Sequence, residues 1–98
     1  MKQFTVEQYA ADIFTAKFGT RLETKFEKLK EEFDELIEAS YNYLDNIGSL
    51  EQVIDELSDV EAVLLHIRSI ISDKSHDESI MDAILKVKIR EHNKNYKK

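Results

Sequence analysis

The sequence predicts an all-α protein, a four-helix antiparallel bundle that assembles as a homo-oligomer. Three observations carry that expectation. The 98-residue chain has no proline and only two glycines, so long helices meet no internal breaker. Apolar residues recur at i, i+3, i+4 and i+7 through four segments, and no strand-like alternation interrupts them. Each segment opens on a Ser/Thr-x-x-Glu/Gln signature, in which the hydroxyl and the side chain three residues on satisfy orphan backbone groups at a helix start.

Taken in order, Thr5-Val6-Glu7-Gln8 opens a helix over about 5–18 with the stripe Val6, Tyr9, Ala10, Ile13 and Phe14, and Gly19 ends it. Thr20-Arg21-Leu22-Glu23 opens a second over about 21–46, striped by Leu22, Phe26, Leu29, Phe33, Leu36, Ile37 and Leu44. Gly48 marks its stop. Ser49-Leu50-Glu51-Gln52 opens a third over about 49–72, with Val53, Leu57, Val60, Val63, Leu64, Ile67 and Ile71 on one side. Ser75-His76-Asp77-Glu78 opens a fourth over about 77–95, with Ile80, Ile84, Leu85, Val87 and Ile89. The short link at 46–49 makes the second and third helices antiparallel neighbours. Further apolar residues, such as Ile54 and Leu65 on the third helix, widen its stripe beyond what one chain covers, which predicts a homodimer or homotetramer.

Composition narrows the function. The chain is one domain, 42% hydrophobic and 35% charged, so it folds around a core. Without cysteine it makes neither disulfides nor thiolate metal sites. No apolar run approaches the ~20 residues of a membrane span. The N-terminal stretch lacks the apolar centre of a signal peptide, so a cytoplasmic protein without membrane partners is expected. A net charge of −6 argues against nucleic-acid binding. The last thirteen residues run the other way, with six Lys/Arg against one Glu. Such a basic end either complements a helix dipole or sits against an anionic ligand.

The chemistry resides in two acidic segments. KLKEEFDEL (28–36) carries Glu31, Glu32 and Glu35, and DELSD (55–59) carries Glu56 and Asp59. Glu32/Glu35 and Glu56/Asp59 are each three residues apart, which puts each pair on one helix face. At about 100° per residue, Glu56 falls inside the apolar arc of its helix and Asp59 at its edge. Glu32 flanks the apolar stripe of its own helix and Glu35 lies farther round, whereas Glu31 and Glu38 point to the far face. Four carboxylates facing one another are costly unless something pairs with their charge. A hard divalent cation does so, and the expected cage is Glu32, Glu35, Glu56 and Asp59 around Mg²⁺, with Mn²⁺ as a substitute.

These segments resemble the MazG-like all-α nucleoside triphosphate pyrophosphohydrolases. KLKEEFDEL is similar to that family's KLxEExxEL helix, DELSDVEAVLLHI (55–67) to its ExxD helix, and KVKIREHNKNY (86–96) more loosely to its basic last helix. The resemblance implies Mg²⁺-dependent hydrolysis of an NTP or dNTP to NMP and pyrophosphate. It implies metal ligation by Glu32, Glu35, Glu56 and Asp59, with Glu31, Glu35 and Glu38 as candidate general bases. Lys28, Lys86, Lys88, Arg90, Asn93 and Lys94 would meet the phosphates, Lys28 being equally placed for an i, i+4 ion pair with Glu32. Phe14, Phe18, Tyr9 and Tyr43 are candidates to hold a base or to fill the core. His66, two turns beyond Asp59, is expected at the surface or an interface, with a ligand role as the alternative. His76 and His92 carry no expected role. A phosphoribosyl-ATP pyrophosphohydrolase-like enzyme and a non-catalytic helical binding module are the competing readings.

Overall fold

The computed structural model describes the backbone of residues 6–96 and the side chains of residues 6–92. Four helices account for it: α1 (Val6–Phe18), α2 (Leu22–Leu44), α3 (Leu50–Ile71) and α4 (His76–Tyr96). The described residues contain no strand. No described helix is long and apolar enough to cross a membrane.

The helix ends show which local signals act. The Ser49 capping box is fully formed: its hydroxyl accepts from the Gln52 N–H at 3.2 Å, and the Gln52 side chain accepts from the Ser49 N–H at 3.2 Å. At the start of α4 the Glu78 N–H donates to the Ser75 hydroxyl at 3.2 Å. A carboxylate from α1 joins it, Glu7 Oε1 accepting from the His76 N–H at 2.9 Å. The second signature does not act as expected. The cap of α2 is Arg21, without a side-chain hydrogen bond, and Glu23 pairs with the Arg21 guanidinium at 3.0 Å instead. Thr5 lies outside the described residues.

Gly19 ends α1 as expected, at φ 73°, its N–H donating to Thr15 O at 2.9 Å. Gly48 serves a different purpose. The left-handed residue after α2 is Asn46, at φ 63°. Gly48 instead lies against α2, where an added Cβ would stand 3.0 Å from the Asn42 Cβ.

α2 and α3 pack along one another as an antiparallel hairpin, and α1 crosses α3. Ala11, Val60 and Ile67 form the small buried core. α4 makes little contact with the other three helices. The radius of gyration is 17.1 Å, against ~13 Å for a compact 100-residue domain. One chain therefore does not close the four-helix bundle. The reason is visible on α4: Ile80 shares a hollow with Leu64, Leu65 and Ile71 of α3, but it and Met81, Ile84, Leu85, Val87 and Ile89 are all exposed.

Candidate metal centre

The α2–α3 hairpin brings the two acidic segments together. One carboxylate oxygen each from Glu32, Glu35 and Glu56 lies within 4.8 Å of the other two, so these three residues could hold a metal ion. Their environments differ. Glu32 is buried, with 7% of its surface accessible. Its Oε1 accepts from Lys28 Nζ at 2.9 Å, while its Oε2 is buried with no hydrogen-bond partner. Glu56 is half-buried, and its Oε2 is likewise buried and unpartnered. Glu35 is exposed at the rim.

An unpaired buried carboxylate oxygen forfeits its hydration without compensation. Two of them lie in one cluster of three acids, where a cation could pair with their charge. The donor set is oxygen only, which suits Mg²⁺ or Mn²⁺ and not a soft metal. The electrostatics agree. The Glu35 carboxyl is held above its ordinary value of 4.5, first by the Glu32 charge, then by partial desolvation and by Glu56. A divalent cation would remove that repulsion.

Asp59 does not join this group. Three residues carry it ~4.5 Å along α3, toward the N-terminal part of α2. There it is exposed and, with Glu32, lines a neighbouring cavity. Glu38 lines a polar hollow on the opposite side of the cluster, shared with Glu35, Glu56, Asn42 and Gln52. Glu31 is exposed and lies 3.7 Å from Lys28 Nζ. Lys28 therefore bridges two carboxylates, and its hydrogen bond with Glu32 is the main cause that raises its pKa. Lys86, Lys88 and Arg90 are exposed on α4 and line neither hollow beside the cluster. The side chains of Asn93 and Lys94 lie outside the described residues.

The cavity shared by Glu32 and Asp59 measures about 270 Å³. Phe14, Phe18, Ala62 and Val63 give it apolar walls, and Thr24, Lys25, Lys28 and His66 supply its polar groups. Phe14 and Phe18 stack with ring centroids 6.1 Å apart. Tyr9 and Tyr43 are exposed and line neither hollow.

His66 departs from expectation. It is buried, at 3% accessibility, because α1 lies across it. Its Nε2 is 3.1 Å from the Thr15 hydroxyl and its ring is 5.8 Å from that of Phe14. Burial, and secondarily the Lys25 charge, push its pKa below the ordinary 6.5, so the ring is neutral at pH 7.

Lys25 was not legible as a site residue. It is 4% accessible, donates from Nζ to Phe18 O at 3.0 Å and lies 5.2 Å over the Phe18 ring. Its ammonium caps the C-terminus of α1, where a cation is favoured. The only hint in sequence is a lysine six residues beyond Gly19.

No family model, curated protein or solved structure matches this chain.

Proposed function

We propose that this protein is a divalent-cation-dependent nucleoside triphosphate pyrophosphohydrolase, releasing NMP and pyrophosphate, and that it works as a homodimer or homotetramer. The observation that carries this reading is the Glu32–Glu35–Glu56 cluster with its two buried, unpartnered oxygens. The resemblance of segments 28–36 and 55–67 to the MazG-like helices supplies the reaction.

Glu32, Glu35 and Glu56 would hold the ion, with Asp59 as an adjacent acid. A bound Mg²⁺ supplies charge neutralisation for the triphosphate and acidifies water. The remaining chemistry belongs to side chains. Water adds to the α-phosphorus, the bond to the bridging oxygen breaks, and pyrophosphate leaves. The proton of the attacking water needs a carboxylate near the cluster that the metal does not consume. Glu38 fits that role best of the candidates, because it shares the polar hollow with Glu35 and Glu56. Glu31 is engaged with Lys28. Lys28 offsets charge on Glu32 and lines the cavity beside it, so it would be available to a bound phosphate.

The oligomer follows from the exposed apolar residues of α4 and from the bundle that one chain leaves open. A second chain packed there would close the four-helix arrangement. It would also bring α4 cations, Lys86, Lys88 and Arg90 among them, to a place where they could meet a bound anion.

The test offers the purified protein each common NTP and dNTP with Mg²⁺ and resolves the products. NMP with pyrophosphate is expected, with Glu38→Gln reducing turnover ~10²-fold or more. Absence of turnover with every nucleotide, or release of orthophosphate, would overturn the reading.

A further inference from the structure

Little buried surface holds α1 on the α2–α3 hairpin. Of its residues only Ala11 is buried, Phe14 is half-buried, and Tyr9, Ile13 and Phe18 stay exposed. It packs chiefly against α3. There it covers His66, which is 3% accessible. The described contacts of that ring are both with α1: the Thr15 hydroxyl lies 3.1 Å from Nε2, and the Phe14 ring centroid lies 5.8 Å away. A buried imidazole therefore stands at the joint between a weakly held helix and its support.

Protonating the ring is costly while α1 covers it, because a buried charge loses its hydration. The charged groups around the ring do not offset that loss. From α2, the buried Lys25 ammonium lines the same cavity and repels a second cation, while Lys28 and Glu32 pair with each other at 2.9 Å. From α3 itself, Asp59 lines the cavity but is exposed, and seven residues set it ~10 Å along the helix, about a Debye length at 0.1 M salt. The α1 residues at the cavity, Phe14 and Phe18, carry no charge. The Thr15 hydroxyl can donate to a bare Nε2 or accept from a protonated one, so this bond does not decide the outcome. Burial first and Lys25 second lower the ring's pKa from 6.5.

The other ties of α1 leave the joint free to open. Glu7 accepts from the His76 N–H at 2.9 Å, but that tie runs to α4, which packs little on the hairpin. At the opposite end, the Lys25 Nζ bond to Phe18 O and the left-handed Gly19 form a pivot.

We propose that α1 is an acid-released cover: when His66 takes up a proton, α1 lifts from α3 about its Gly19 end while the hairpin stays folded, and the cavity lined by Phe14 and Phe18 opens to solvent. The device needs neither metal nor nucleotide, so it stands or falls apart from the proposed function. The closed arrangement keeps its full stability above the ordinary 6.5 and loses it as pH falls through the lowered value.

The test is amide hydrogen exchange of the full chain at pH 7.5 and pH 5, each rate divided by that of the unstructured peptide at the same pH. Protection of residues 10–18 should fall about five-fold or more at pH 5, while that of residues 60–67 should change less than about two-fold. His66→Gln is neutral at both pH values and can still bond Thr15, so its α1 protection should not depend on pH. If that variant does not fold, the ring titration of His66 in wild type, followed by NMR, takes its place. The loss of α1 protection should track that titration, which should lie below 6.5. Unchanged α1 protection, joint loss of protection in α1 and α3, an equal loss in His66→Gln, or a ring that titrates at or above 6.5 would each overturn the proposal.

Discussion

At the scale of single residues, the fate of three carboxylates governs both stability and function. Glu56 has a buried oxygen without a partner and two acids for neighbours. Glu56→Gln removes one like charge and supplies an amide donor. The metal-free variant should then unfold no earlier than wild type, and later by on the order of 1 kcal/mol, in a urea titration without divalent ions. A structural glutamate would give the opposite result, because its loss would destabilise.

Glu35 makes a pH prediction. Its folded-state pKa lies above the ordinary 4.5, raised by Glu32, partial desolvation and Glu56. Between the unfolded and folded values the native chain holds the extra proton, so stability falls as pH rises. Its contribution is complete below the ordinary carboxylate value and is lost as pH climbs through the raised one. Chelator-treated wild type should show this decline above about pH 4.5, Glu35→Gln should lack it, and Mg²⁺ should reverse it at neutral pH. His66 acts in the other direction. Burial and Lys25 lower its pKa from 6.5, so the stability it contributes is present above that value and is lost as pH falls through the lowered one.

At the scale of helices, the termini separate signals that act locally from those that depend on packing. Ser49 forms both bonds of its capping box, and Ser49→Ala should cost ~1 kcal/mol in thermal or urea unfolding. Gly19 sits at φ 73° with nothing within 4 Å of an added Cβ. Gly19→Ala should therefore cost ~1–2 kcal/mol from backbone strain alone. Helix identity and the hairpin of α2 and α3 were legible in the sequence because the periodic stripes and the Ser49 box require no partner. The Thr20 box was not realised: α2 starts at Leu22 with Arg21 as its cap, which puts Glu23 out of register for a box, and Glu23 pairs with Arg21. The acids were legible by the same angular argument. Glu56 inside an apolar arc did become half-buried with an orphaned oxygen, and Glu32 beside its stripe became buried. Asp59 and His66 were misplaced for a different reason: the level at which two antiparallel helices meet, and the crossing of α1, depend on contacts between elements far apart in sequence. Periodicity within one helix does not encode them.

At the scale of the whole molecule, the dominant feature is unburied apolar surface. α4 exposes six large apolar side chains and packs little on its own chain. Such a surface on a 98-residue chain points to a partner, and the proposed occupant is another copy. Sedimentation should give at least twice the 11.5 kDa chain mass. Ile84→Glu should shift the equilibrium toward the single chain by ~1.5–3 kcal/mol, the value of one buried aliphatic side chain.

The claim on which the account turns is that Glu32, Glu35 and Glu56 bind a divalent cation. Titration of Mn²⁺, followed by loss of the free-ion paramagnetic resonance signal, tests it without reference to any substrate. Wild type should take up Mn²⁺ saturably and release it to excess Mg²⁺, and Glu56→Gln should weaken uptake at least ten-fold. Uptake equal in wild type and Glu56→Gln, or none in either, would contradict the account.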